Sequence, residues 1–156
     1  MKIVYLHGLH SSPMSYKRKV LEDMGHTVFA PHLPASDWKG SVSLANRVIA
    51  NVKPDVVIGS SRGGAVAMAV DPNCPMVLIA PAYTKYCPEA QLSADAVILH
   101  SAFDDIIAYA DSVELIGNGN QRLYKVGRDH RMNDEEAIST LTKLLPVDAV
   151  DISLTI

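Results

Sequence analysis

Ser61 lies in Gly59-Ser60-Ser61-Arg62-Gly63, directly after the apolar run Val56-Val57-Ile58 and just before the stretch Ala65-Val66-Ala67-Met68-Ala69-Val70. A serine in G-x-S-x-G spacing at a strand-to-helix junction is the arrangement that exposes a hydroxyl nucleophile. The reason is steric: bending a strand into a helix within a few residues strains the central residue, and a side chain two places to either side would block the turn. The helix that follows turns its first amide hydrogens toward any anion formed beside Ser61. Acyl transfer from such a serine needs a base, an acid to orient that base, and two hydrogen-bond donors for the oxyanion.

The base must come from the histidines, of which there are six. His26 and His32 flank an early strand and read as surface or edge residues. His7 and His10 precede the nucleophile, and His7 is suited to holding its loop by hydrogen bonds. His100 ends a strand and is expected to stand behind the site. His130 follows the last strand in Lys125-Val126-Gly127-Arg128-Asp129-His130, where a loop can lower its ring over the sheet edge, the place for a general base. Asp104 and Asp105 could each orient it, and spacing does not choose between them; Asp105 could equally cap the next helix. Asp129, adjacent to His130, would have to turn back to reach the ring. The loop His7-Gly8-Leu9-His10-Ser11-Ser12-Pro13 can aim backbone amides at the same point as the Ser61 turn.

The elements that must position these groups alternate between strand and helix. Strands are predicted at Lys2 to Leu6, Thr27 to Ala30, Val56 to Ile58, Met76 to Ala80, Ala96 to His100 and Arg122 to Val126. Helices are predicted at about Met14 to Met24, with Tyr16, Val20, Leu21 and Met24 on its apolar face, and at Ser41 to Val52, Ala65 to Val70, Asp105 to Leu115 and Asp134 to Leu145. Val147 to Ile156 reads as an extra strand or an extended tail. Apolar strands joined by amphipathic helices indicate a three-layer α/β/α sandwich with a mostly parallel six-stranded sheet, one domain over residues 1–156. In such a sheet, function gathers at the carboxyl edge.

Composition narrows the function classes. A chain of 156 residues, 48% hydrophobic and with a formal charge of -3, has no basic surplus suited to nucleic acid. Cys74 and Cys87 stand in no metal or redox spacing and are expected to be reduced thiols. Lys2 runs straight into Ile3-Val4-Tyr5-Leu6 without room for a signal peptide, and no apolar run is long enough for a membrane span, so the expected location is cytoplasmic. Neither a dinucleotide fingerprint nor a phosphate-loop lysine accompanies Gly59 to Gly64.

The elbow, Tyr5-Leu6-His7-Gly8 before it and Gly127-Arg128-Asp129-His130 after it closely resemble the α/β-hydrolase superfamily, particularly its small, lidless esterase-like members. The resemblance implies a minimal α/β-hydrolase fold with strand order 2-1-3-4-5-6. It maps the family's G-x-x-D-x-x-V acid loop onto Ser101 to Ile107 and so selects Asp104 as the acid, with Ser61 as nucleophile and His130 as base. It also implies that the amides of Leu9 and Arg62 form the oxyanion hole, and that no metal or organic cofactor takes part. Ser101 replaces the family's usual glycine, Ala108 its frequent proline, and Arg62 an apolar or amide side chain; the guanidinium could favour an acidic substrate or pair with an aspartate. Pro81 to Asp95 is too short for a helical cap, leaving Tyr83, Tyr86 and Leu92 as a short wall or as packing. The implied activity is carboxylesterase-like: two-step hydrolysis of a small-molecule acyl substrate, an ester or thioester. The rival reading is a ligand-binding or interaction protein on the same scaffold.

Overall fold

The computed structural model of the protein describes residues 1–117 and 122–145. Six parallel strands, β1 Lys2–Leu6, β2 Thr27–Phe29, β3 Val56–Ser60, β4 Met76–Ile79, β5 Val97–His100 and β6 Leu123–Lys125, form one sheet in the order β2-β1-β3-β4-β5-β6. This is the expected order, with every pairing parallel. The helices between them are α1 Tyr16–Asp23, α2 Trp38–Val52, α3 Arg62–Val70, α4 Tyr83–Tyr86, α5 Tyr109–Ile116 and α6 Glu135–Lys143. None of the described helices is long and apolar enough to cross a membrane.

Strand alternation divides the apolar side chains between two cores. Val4, Leu6, Val57, Leu78 and Ile98 face a layer that includes Ala45 of α2, Val66 and Ala67 of α3, Tyr83 of α4 and Ile116 of α5. Ile3, Tyr5, Ile58, Val77, Ile79 and Leu99 face the other layer, with Leu21 of α1 and Ala137 and Leu141 of α6. The central strands are therefore buried on both faces, and each fully enclosed leucine or isoleucine contributes roughly 1.5–3 kcal/mol of transfer free energy.

Short polar side chains start three of the helices. Ser15 accepts from the Arg18 amide, Asp37 from the Gly40 amide and Asp134 from the Ala137 amide, each cap worth about 1 kcal/mol. Asp37 moves the start of α2 three residues before the predicted Ser41. Three other expectations change. Tyr16 is exposed, and the buried stripe of α1 is Lys17 and Leu21. The helix expected from Asp105 begins at Tyr109, with Ala108 rather than Asp105 at its N-cap. The intervening amides are taken by side chains: Asp104 Oδ1 accepts from Ile106 and Ile107, and Ser101 Oγ from Phe103. Such side-chain turns compete with helix. His26, expected at the surface or edge, is buried, its Nδ1 3.1 Å from the Met1 nitrogen. The tail after Pro146 lies outside the described residues.

Candidate active site

The elbow is built by backbone sterics. Ser61 joins β3 to α3 with φ 55 and ψ -115, a conformation that costs a non-glycine residue on the order of 1–3 kcal/mol and persists only where the surroundings enforce it. A Cβ at Gly59 would lie 2.5 Å from the Gly63 carbonyl oxygen, and one at Gly63 would overlap the Leu6 carbonyl. Backbone bonds fix the turn: the Ser61 amide donates to Ile79 O at 2.8 Å, and Ser61 O accepts from Gly64, Ala65 and Ala82. The amides of Arg62 and Gly63 are among those a helix start leaves without intrahelical partners.

His130 and Asp104 arrive on loops from other strands and meet this serine. His130 Nε2 lies 2.9 Å from Ser61 Oγ, and its Nδ1 lies 2.7 Å from Asp104 Oδ2. Burial by itself would raise the Asp104 carboxyl, but hydrogen bonds from His130 and from the Ile107 and Ile106 amides outweigh it and hold the pKa below the ordinary carboxylate value. Asp105 is exposed, and Asp129 accepts from the Met132 amide instead of turning to the ring. His10 and His32 are exposed.

A second histidine touches the same carboxylate. His100 is fully buried, with Nε2 3.1 Å from Asp104 Oδ2 and 3.0 Å from Ile107 O, and Nδ1 2.6 Å from Ser112 Oγ. Both neighbours of Nε2 are acceptors, so that nitrogen carries the proton and the Ser112 hydroxyl donates to Nδ1. Burial lowers the His100 pKa, which agrees with this neutral form. His100 thus stands behind the site as its place at the end of β5 suggested; Ser112, its partner, carried no signal in the sequence.

The loop after β1 approaches from the opposite side. A Cβ on Gly8 would sit 3.4 Å from Ser61 Cβ, so the backbone of this loop lies against the serine. His7 Nε2 accepts from the Leu33 amide at 3.0 Å, which leaves Nδ1–H to donate to Gly8 O at 2.8 Å. Burial keeps the His7 pKa low, consistent with that neutral tautomer. In a trans peptide the carbonyl and the next N–H point in opposite directions, so the hold on Gly8 O turns the Leu9 amide away from the His7 ring.

Arg62, Tyr83, Tyr86 and Leu92, all singled out in the sequence, do other work. The Arg62 guanidinium is turned into the fold and pairs with no aspartate among the described residues: the residue is buried, donates to Pro34 O at 2.9 Å and to Ser41 Oγ at 3.2 Å, and lies 5.7 Å and 5.5 Å from the Trp38 and Tyr86 ring centres. Tyr83 donates its hydroxyl to Asp111 O, and Tyr86 stacks on Trp38. These tyrosines, with Leu92 against the same core, pack the fold. Ser101 Oγ donates to Gly127 O at 2.9 Å, a tie between the loops that carry Asp104 and His130 that a glycine at this position could not make. Among the described residues no three His, Cys, Asp or Glu side chains gather to hold a metal ion.

Comparison with known proteins agrees with the fold. Residues 2–88 match the sequence model of an uncharacterised protein family, UPF0227. The comparison with curated proteins gives no match. Among solved structures, a hydrolase candidate of the α/β superfamily from Xanthomonas campestris pv. campestris is 24% identical, with a TM-score of 0.74 over 92% of this chain and 99% of that one. An α/β serine hydrolase without a lid from Xanthomonas campestris is 16% identical, TM-score 0.64, over 94% and 84%. The esterase domain of a Rhodothermus marinus protein is also 16% identical, TM-score 0.65, over 92% and 83%. The fold is that of the α/β hydrolases.

Proposed function

The chain belongs to the uncharacterised protein family UPF0227, and we propose that this member is a serine hydrolase that cleaves small carboxylic esters or thioesters through an acyl-enzyme on Ser61. The observation that carries the reading is the pair of contacts on one imidazole, 2.9 Å to Ser61 Oγ and 2.7 Å to Asp104 Oδ2.

Ser61 Oγ attacks the acyl carbon while its proton passes to His130 Nε2. The carbonyl oxygen becomes an oxyanion held by the Leu9 and Arg62 amides, each such donor being worth about 3 kcal/mol in the transition state. Collapse of the intermediate breaks the bond to the leaving alcohol or thiol, which takes the proton from His130. Water then gives a proton to His130 and attacks the acyl-enzyme, and the second collapse returns the proton to Ser61 and releases the acid. Asp104, acceptor-only and ionised, keeps Nδ1–H toward itself and Nε2 toward the serine. The short stretch between β4 and β5 supports small acyl groups, since its tyrosines are committed to packing.

Hydrolysis of p-nitrophenyl acetate and of acetyl and butyryl thioesters tests the reading. Wild-type turnover that Ser61→Ala abolishes is the expected result. Equal rates for the two proteins would contradict it, and no turnover of any substrate by wild type would favour the binding role.

A further inference from the structure

We infer that Lys17 is a positioning residue for His130, clamping the base loop to the helix that follows the Gly8 loop; the inference rests on the hydrolase reading above. Lys17 lies on the buried stripe of α1, one turn before Leu21, and is only 5% exposed. Its ammonium donates to Arg131 O at 2.5 Å and to Asn133 Oδ1 at 2.7 Å. Those acceptors follow His130 by one and three residues, and lie more than a hundred positions from Lys17 in sequence.

The rest of the base loop is tied elsewhere. Ser101 holds Gly127 O from the acid loop, Asp134 and Glu136 take the Arg128 and Gly127 amides from the start of α6, and Met132 is buried beneath. Lys17 hydrogen-bonds the loop from the first-strand side, where the Gly8 backbone lies against Ser61. One ammonium thus ties the His130 loop to α1, the helix that follows the Gly8 loop.

A merely structural role fits poorly. Burial pushes the Lys17 pKa down to about 8, against the opposing pull of Asp129 and Asp134, so the site disfavours the charge it holds. A methionine or leucine would fill the stripe beside Leu21 without that desolvation. Arg131 and Asn133 are exposed residues, whose acceptors water could satisfy if the lysine were absent. What an apolar residue could not do is fix the loop. His130 must meet Ser61 and Asp104 together, and a displacement of about 1 Å can cost on the order of a hundredfold in rate.

The test compares wild type with Lys17→Met, Lys17→Gln and Lys17→Arg in kcat and KM on p-nitrophenyl acetate, thermal midpoint, and the low-field NMR resonance of the His130 Nδ1 proton. Lys17→Met is expected to lower kcat by about 10- to 100-fold with KM little changed, to keep its thermal midpoint, and to broaden the resonance; Lys17→Arg restores the resonance and most of kcat. Wild-type kcat and an unbroadened resonance in Lys17→Met overturn the inference. So does a rate that falls only in step with the folded fraction, or failure of both Lys17→Met and Lys17→Gln to fold. If wild type itself shows neither turnover nor labelling of Ser61, the hydrolase reading fails, while the resonance still decides whether Lys17 holds the ring.

Discussion

The elbow around Ser61 and the loop that carries His130 hold their functional atoms by different means. The elbow is fixed by backbone: a positive φ, two glycines with no space for a side chain against the Gly63 and Leu6 carbonyls, and amide–carbonyl bonds to Ile79 and Ala82. The base loop is fixed by side chains from distant parts of the chain, Asp104 and Ser101 from the acid loop and Lys17 from α1, together with Asp134 at the start of α6. A serine hydroxyl set by sterics cannot be moved without unfolding its surroundings. An imidazole set by side-chain hydrogen bonds can be displaced while the fold survives, so damage to the two regions should look different: loss of stability in the first and, on the proposed function, loss of rate in the second.

The largest effect expected is on rate. Asp104→Asn removes the acceptor that fixes the His130 tautomer and should lower kcat about ten-thousandfold, with the molecule still folded by circular dichroism; a loss under tenfold would break the distinction. Next comes Gly63→Ala in the elbow, whose new methyl would overlap the Leu6 carbonyl. Overpacking against backbone should cost at least about 3 kcal/mol, at or beyond the upper end of the usual range, read as a lowered urea midpoint or failure to fold. An unchanged midpoint would mean that the strand-to-helix turn can open.

Ser101→Ala leaves the Gly127 carbonyl and the Phe103 amide without their partner. A cost of about 1–3 kcal/mol in unfolding free energy is expected, with a fall in kcat larger than the folded fraction explains. The smallest effect is at Asp134. Burial raises its carboxyl, but hydrogen bonds from the Arg128 and Ala137 amides prevail and hold the pKa below the ordinary value. A carboxyl depressed in the folded state stabilises fully above its unfolded pKa, about 3.9, and the contribution disappears as pH falls through the lower folded value. The thermal midpoint of Asp134→Ala should therefore lie below that of wild type at neutral pH by the equivalent of about 1 kcal/mol, and the gap should start to narrow as pH falls below about 4. A gap that stays constant to pH 2 would show that the cap acts without its charge.

The same contrast explains what was legible in the sequence. The sheet order, the parallel strands and the elbow follow from local pattern, because apolar runs, glycines and caps act on their neighbours. His130 was legible as a loop residue after the last strand, whereas choosing Asp104 over Asp105 needed the family's motif. The physical reason for that choice, Asp104 accepting from the Ile106 and Ile107 amides, is the same one that delays α5 to Tyr109. The Arg62 side chain was not legible, since its place between Trp38, Tyr86 and the Pro34 carbonyl depends on how α2 and α4 pack on α3. Lys17 was hidden for a like reason: a helix pattern reads a lysine as solvent-facing, and only the packed loop supplies its acceptors.

If Ser61 is a nucleophile activated by His130, as proposed, a fluorophosphonate bonds to it covalently. Incubation with a fluorophosphonate followed by intact mass and peptide mapping should give one adduct per wild-type chain, on Ser61, and none in Ser61→Ala. An unlabelled wild type, or an adduct that persists in Ser61→Ala, would show that Ser61 is not the nucleophile.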